Sequence, residues 1–401
     1  MSASAASAGA AGSVRAAVNL LAIAALFSGA ALRICDGLLP RLAADFGIST
    51  GTAGRAVLTF ATAYGFAQLA YGPLADRYGK AKLVCSALFG CALAGLACAF
   101  APGFDALVLL RIVWGVAAAG VIPLAMAWIG DTVPYEQRQA TLARLLTGTL
   151  TGMMLGQLGG GLFADSTFGW RGAFLTLAAG YALVALLLLR KLRTLTALSP
   201  AAGSGRVGFL SQLTTVFGVP WVRVVLATVA AEGVFLLGPL SFLPAYLHQR
   251  FGLSVSAASA LIALYAVGGL VYAMTARTIV RRFGERKMVL AGGLLMAAGF
   301  LAWYASPVAW LAAPVALLVG FGTYLFHNTL QTNATQMAPA ARGTAMALFA
   351  SSFFIGQAVG VSWAGAAFDR FGPAPLLLVP ALALGLAGWG FARALRRRAA
   401  E

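Results

Sequence analysis

An all-α membrane protein of twelve transmembrane helices, arranged as two pseudo-symmetric six-helix bundles, is predicted from three observations. The 401 residues are 61% hydrophobic and only 10% charged, with mean hydropathy +0.87, more apolar than a water-soluble domain of that length can hide inside itself. Apolar runs of about 20 residues recur along the whole chain, each long enough to cross a ~30 Å hydrocarbon layer as a helix, whereas barrel strands would alternate every second residue. The second half of the sequence also echoes the first.

Twelve runs centre near Ala25, Ala63, Cys91, Val116, Met153, Leu183, Ala231, Leu264, Leu294, Val319, Ser352 and Gly385. An even number puts both ends on one side of the bilayer. Residues 1–17, opening "MSASAASAGAAGSVR", are small and polar and read as a disordered cytoplasmic tail. The run that follows lacks a cleavage site and flows into a charged pair, so it reads as a retained first helix rather than a signal peptide. Residues 18–190 make the first bundle and 221–394 the second. Between them, 191–220 is a cytoplasmic linker whose "SPAAGSGR" has a flexible Gly/Ser/Pro composition, and 395–401 is a cytoplasmic tail.

A net charge of +17 raises nucleic acid as a partner, and the placement of the charge answers it. With the N-terminus inside, the inner loops and ends hold 20 of the 28 Lys and Arg, among them Arg77, Lys80, Lys82, Arg206, Arg281 and Arg396; the outer loops hold five, Arg41, Arg55, Arg171, Arg250 and Arg370. That is the positive-inside bias of a membrane protein with both termini in the cytoplasm, and it leaves no need for nucleic acid. Cys35, Cys85, Cys91 and Cys98 lie in apolar helical context without metal-ligand spacing and read as small hydrophobes.

The internal repeat is specific. "LLPRLAADFGIS" reappears as "FLPAYLHQRFGLS", and "DRYGKAK" from Asp76 as "RRFGERK" from Arg281, a shift of 205; Gly115 and Pro134 match Gly320 and Pro339 at the same shift, and "GQLGG" at Gly156 resembles "GQAVG" at Gly356. Two homologous bundles around a central cleft can rock and expose one site to each side in turn.

"GPLADRYGKAK", Gly72 to Lys82, closely resembles the inner-loop signature of the major facilitator superfamily. Its chemistry suits the place: Gly72 for close helix packing, Asp76 to cap or face a neighbouring helix N-terminus, Gly79 for a tight turn, Arg77 and Lys80 to hold the loop inside. "RIVWGVAAAG" from Arg111 resembles the family's R-x-x-x-G element, whose arginine faces the central cavity. "GQLGGG" from Gly156 is similar to the G-P-x-x-G-G element of the proton-driven exporters, with Gln157 in place of proline. The resemblance covers essentially the whole chain and implies the major facilitator fold. It departs in the second copy of the loop, where Arg281 stands in place of an acid.

An ionisable side chain within a span is functional by default. Arg33 and Asp36 are three apart, on one helical face, with Asp36 four residues before Pro40 and so near the outer end of the first helix. Arg111 is seven residues into the fourth helix, about 10 Å deep at 1.5 Å per residue. The first and fourth helices of each unit line the cavity in the family, so the resemblance implies that Arg33, Asp36 and Arg111 meet there. Glu232 is midway along the seventh helix with no basic residue within a turn. It is the first candidate for a proton carrier, and Asp36 the second. His327, with Asn328 beside it, is a candidate for the cavity or for a polar link between helices, and Asn19, Tyr64, Gln68, Tyr265, Tyr272, Tyr324, Gln331 and Gln357 add candidate polar and aromatic lining.

No P-loop, metal-ligand cluster or nucleophile elbow stands out, so no cofactor, metal or enzyme activity is expected. The expected function is secondary transport across the bacterial inner membrane by alternating access: proton-coupled export of small organic or amphipathic compounds by a monomer. The alternatives are a proton-linked importer of organic anions or sugars, and, from another class, a membrane receptor or scaffold that moves no solute.

Overall fold

A computed structural model describes residues 2–197 and 209–399, and among these residues the chain is helical with no strand. The first half of the chain forms α1 (Ser2–Phe46), α2 (Thr50–Ala53), α3 (Arg55–Tyr78), α4 (Lys80–Ala99), α5 (Phe104–Ala118), α6 (Val121–Thr132), α7 (Tyr135–Asp165), α8 (Gly169–Arg190) and α9 (Leu192–Ala197). The second forms α10 (Phe209–Phe217), α11 (Pro220–Glu232), a π-helical turn (Gly233–Leu237), α12 (Gly238–Leu240), α13 (Leu243–Phe251), α14 (Val255–Ala305), α15 (Ala312–Gln336), α16 (Arg342–Phe371) and α17 (Pro373–Arg398). Nine helical stretches among the described residues are long and apolar enough to cross a membrane. Residues 198–208 of the expected linker, with Arg206, lie outside the described residues, as do 1, 400 and 401.

Two expectations about α1 are corrected. The segment expected to be a disordered tail is helical from Ser2, in keeping with its alanine content. Pro40 lies inside the helix rather than near its end, and α1 runs on to Phe46, so Asp36 sits ten residues before the helix ends. A proline in a helix removes one backbone donor, here the partner of the Asp36 carbonyl.

Helix contacts in the first half are made through glycine. Gly148, Gly152, Gly156 and Gly160 of α7 recur every fourth residue, and a Cβ on them would strike the carbonyls of Ala22, Leu26, Ala30 and Ile34, one turn apart on α1. Small residues at that spacing let two backbones touch. The repeat seen in the sequence is also a repeat of contacts: Gly115 lies against the Phe60 carbonyl and, 205 residues on, Gly320 lies against the Tyr265 carbonyl. Gly356 and Gly360 meet Ala230 and Val234 in the same manner as α7 meets α1.

The signature loop folds within its own half. Gly79 turns the chain at φ +87, with nothing within 4 Å of where a Cβ would lie, so its positive φ rather than close contact explains it. Lys80 pairs with Asp131 at the end of α6. At the equivalent position in the second half, Glu285 accepts a bond from the Asn333 side-chain amide at 3.0 Å. Gly72 and Asp76 depart from expectation: Gly72 faces open space, Asp76 is exposed, and α4 starts after Gly79 with no side-chain cap. Gly72 and Asp76 lie on the outward side of the stretch, while Ala75 between them is the one that packs into the core, so neither close contact nor capping arises at those two positions.

The 51-residue α14 is broken at Gly284, which adopts φ 68 and ψ 165. Upstream of that break, α14 runs antiparallel to α7 from the other half. Asp165 meets Val255 and Ser256, Gly161 meets Ser259, and Met153, Met154 and Gln157 share a residual void of about 10 Å³ with Arg33, Ile262, Ala263, Tyr265 and Ala266. Continued past Leu150, which is still buried, this register would pair Met274 with Leu146, yet these are 86% and 45% exposed. The halves are therefore joined at the end of the molecule bearing Asp165 and Val255, here called the distal face. They separate toward the proximal face that bears Gly79 and Gly284, where Arg277, Thr278, Arg281 and Arg282 of α14 are exposed. At the water-exposed distal end, burial opposes the charge of Asp165, but bonds from Ser256 and Val255 and the nearby His248 outweigh it and hold the carboxyl below its ordinary range.

Candidate functional site

The continuous run of α1 brings Arg33 and Asp36 to the level at which α7 and α14 close on each other. Arg33 Nη1 and Asp36 Oδ2 are 3.0 Å apart, with the two side chains 4% and 0% exposed. They face each other as an ion pair without the alignment of a hydrogen bond, and neither Asp36 oxygen has a hydrogen-bond partner among the described residues. Two buried charges taken from water need compensation from each other and from further dipoles; Ser241 of the second half lies beside Asp36, with its hydroxyl donated to the Leu237 carbonyl at 3.1 Å. An interfacial pair with Arg33 reaching back to water does not describe this geometry.

Arg111 takes a different place from the one its resemblance implies. It is 1% exposed, donates from Nε to the Ala56 carbonyl at 3.0 Å, and lies 4.1 Å from the Phe60 ring centroid and 5.1 Å from that of Trp114. Its charge reaches Asp36 at longer range, but the guanidinium is held in the packing of the first half instead of meeting Arg33 and Asp36. The two rings offer their negative faces to a cation that has little else to compensate it. Replacing Arg111 with Ala is expected to cost about 3 kcal/mol of stability through the lost packing and cation–π contacts. Thermal unfolding of the purified variant checks this, and Arg111→Lys, which lacks the planar fork, is expected to recover only part of the loss.

In the second half, a π-helical turn follows Glu232 directly. Two features of the sequence explain it. Pro239 lacks the N–H that a regular helix would use at that point, and Gly233 and Gly238 bring the turn against the α16 backbone at Phe353 and Gly360. π-turns re-aim side chains within an otherwise regular helix. Glu232 is fully buried, and its Oε2 lies 2.9 Å from His327 Nδ1 on α15. Oε1 has no partner among the described residues. The imidazole rests on Phe353 and Phe349, with centroids 4.7 and 5.4 Å away, and keeps 18% of its surface exposed. A basic partner for Glu232 was not evident along its own helix; it comes from across the bundle.

The two pairs share neighbours. Tyr265 and Tyr324 both lie within electrostatic reach of Arg33 and of Glu232. Gln157 projects between the halves, 3% exposed, with neither amide atom partnered, and Ser259 and Gln68 are also buried with an unpartnered oxygen. Phe354 of α16 packs at a tilt against Tyr64 of α3, with ring centroids 4.5 Å apart, closing one side of the gap. Tyr272 lies further along α14, beside Tyr324 and Asn328. Gln357 is buried where Gly233 touches α16. Asn19 is exposed, seventeen residues into α1 from Ser2. The signature-loop residues stand apart at the proximal face. Sequence reasoning treated Gln157 only as a missing proline and passed over Ser259 and the phenylalanines at 349, 353 and 354. A polar residue within a glycine-rich span was the available signal for Gln157; the phenylalanines carried none. The four cysteines are free and buried, and no group of metal-ligating side chains occurs among the described residues.

This arrangement of helices is shared with known proteins. Residues 21–361 match the sequence pattern of the Major Facilitator Superfamily. The uncharacterized MFS-type transporter YceJ of Bacillus subtilis (strain 168) is 27% identical over 82% of this chain and 83% of its own. Shorter stretches resemble a chloramphenicol resistance protein of Streptomyces lividans, 34% identical over 40% of each chain, and a gallate transporter of Pseudomonas putida, 30% identical over 33% of this chain and 29% of that one. The crystal structure of a D-xylose-proton symporter shares the fold with a TM-score of 0.77 at 16% identity, covering 94% of this chain and 96% of the other. A match along most of the sequence, carried by helices that pack as theirs do, means that the chain belongs to the Major Facilitator Superfamily.

Proposed function

We propose that this transporter-family protein is a proton-coupled exporter of small organic or amphipathic compounds, working by alternating access across a bacterial inner membrane with both termini in the cytoplasm. The observation that carries the coupling is the buried Glu232–His327 pair, at a π-turn beside the gap between the halves. A carboxyl and an imidazole in contact can hold a proton in either of two places and pass it on as the surroundings change. Asp36, beside Arg33, is the second candidate. Arg33, His327, Asn328, Tyr64, Gln68, Tyr265 and Gln357 are proposed to contribute to the substrate cavity, with Gln157 added on the strength of its unpartnered amide, and Arg111 to support that wall from within the packing of the first half.

We read the chain as twelve crossings. Besides the nine apolar stretches, α3 and α7 are long enough to cross, and α14 is far too long for one crossing at 1.5 Å per residue and divides at Gly284. Residues 18–190 and 221–394 are then the two six-helix bundles, active together as one monomer.

Export is favoured by the glycine ladder of α7, whose "GQLGGG" resembles the exporter element, and by the local likeness to a chloramphenicol resistance protein. Uptake of an organic anion is the second reading, favoured by the buried guanidinium of Arg33 at the gap and the local likeness to a gallate transporter. Proteoliposomes with an imposed pH gradient decide between them. Thermal-shift screening first selects ligands, with chloramphenicol and gallate as the initial probes, because a ligand of the folded state stabilises it. Solute moving against the proton flow is expected for export and with it for uptake. Absence of saturable flux for every stabilising ligand would leave the receptor or scaffold reading in its place.

A further inference from the structure

The distal face carries one contact made twice. Asp165, the last residue of α7, accepts the backbone N–H groups of Val255 at 3.3 Å and Ser256 at 2.7 Å, the first two residues of α14. Asp369, in the last turn of α16, accepts the backbone N–H of Gly51 at 2.9 Å and the Ser49 hydroxyl at 2.5 Å. In each case the carboxylate belongs to one half of the chain and the donors to the other.

The receiving turns already have caps of their own. Ser254 Oγ accepts from Ala257 N and Ser49 Oγ from Thr52 N, both at 3.1 Å. A serine cap satisfies a donor further into the turn and leaves the leading N–H groups without an intrahelical partner. Those leading groups are the ones the opposite half's carboxylate takes. A glycine precedes each carboxylate by one turn. A Cβ on Gly161 would overlap Ser259, and one on Gly365 would lie 2.9 Å from the Gly51 carbonyl. The elements can be read in the repeat: "GLFAD" ending at Asp165 and "GAAFD" ending at Asp369 are the bolts, and "FGIS" ending at Ser49 and "FGLS" ending at Ser254 are the sockets. Duplication therefore supplied each half with one bolt and one socket, and the halves engage crosswise.

We propose that Asp165 and Asp369 are a paired latch that holds the distal face shut, and that removing both shifts the protein toward a state open at the distal face and closed at the proximal one. The proposal rests on the alternating-access reading but not on any assignment of proton or solute, and its test uses neither. Bonds from backbone N–H groups to a carboxylate are charge-assisted, so they weigh more than neutral contacts, while exposure to water limits each of them.

The test is cysteine labelling of the full chain in nanodiscs with a polar maleimide. Ile262→Cys reports on the distal side, because Ile262 is 1% exposed and lines the residual void below the latch. Thr278→Cys reports on the proximal side, where Thr278 is exposed. The parent with its four buried cysteines sets the background. In Asp165→Ala or Asp369→Ala, labelling at position 262 is expected to rise about 3-fold, and in the double variant about 10-fold, since the contacts involve different helix pairs and multiply. Labelling at 278 is expected to fall as 262 rises. Asn at both positions keeps an acceptor but loses the charge and should lie between parent and Ala. A double Ala variant within about 1.5-fold of the parent at 262 would overturn the latch. So would a rise at both reporters, which would signal a loosened fold instead of a reciprocal switch; transport measured separately would still test alternating access itself.

Discussion

Glu232→Gln is expected to abolish proton-driven accumulation of substrate while leaving substrate exchange in place. The amide keeps the volume of the carboxyl and an oxygen facing His327 Nδ1, now 2.9 Å from Glu232 Oε2, but it cannot take up and release a proton in the working pH range. Binding and the rocking of the halves would survive, and so would exchange of labelled for unlabelled solute across the membrane. The two measurements are counterflow in vesicles at equal pH and accumulation under an imposed pH gradient. Accumulation falling to the level of empty vesicles with counterflow retained is the expected pattern. Unchanged proton uptake would reject Glu232 as the carrier. His327→Gln is expected to weaken coupling without removing it, because the carboxyl remains while its buried charge loses a stabilising neighbour.

The second large effect is on folding. Gly152→Val is expected to reduce the yield of folded protein severely, costing about 3 kcal/mol or more, since any Cβ there collides with the Leu26 backbone and neither helix can yield without moving the rest of the ladder. Gly159→Ala is the matched control. Its Cβ would meet only the end of the Ile34 side chain, at an ordinary 3.7 Å, so its unfolding temperature should hold or rise slightly, as expected where alanine is the better helix former. Size-exclusion profiles and thermal unfolding of the two variants separate a packing role of the ladder from a general intolerance of change in α7. Equal behaviour of the two would remove the close contact as the reason for the glycines.

Much of the fold was legible because the signals behind it are local. Span lengths, the loop bias of Lys and Arg, and the 205-residue repeat are all properties of the chain read along itself, and the repeat located a real contact: Gly115 and Gly320 make the same approach to a neighbouring carbonyl. Pro40 misled for the opposite reason. As a local signal proline marks a helix end, but α1 continues because packing holds it past the one missing donor. Gly72 and Asp76 show the same limit. A loop pattern names residues suited to packing and capping without showing whether another segment is there to receive them.

The candidate site divides along the same line. Arg33 and Asp36, three residues apart on one helix, could be paired from spacing alone. Glu232 and His327 are 95 residues apart in sequence, and nothing along either helix announces that they touch. Arg111 was recognisable as a buried cation, yet its placement between Phe60 and Trp114 depends on how α5 turns against α3.

By itself, the sequence determined that this protein lives in a bilayer, that it is built of long helices in two related halves, and which few charges are spent inside it, because hydropathy, charge placement and repetition need no partner to be read. Only the tertiary structure decided which buried charge faces which, that the halves are joined at Asp165 and Asp369, and that the proximal side stands open. Those outcomes depend on the rotation and approach of helices distant in sequence, set by glycine-to-carbonyl contacts only a few ångströms deep.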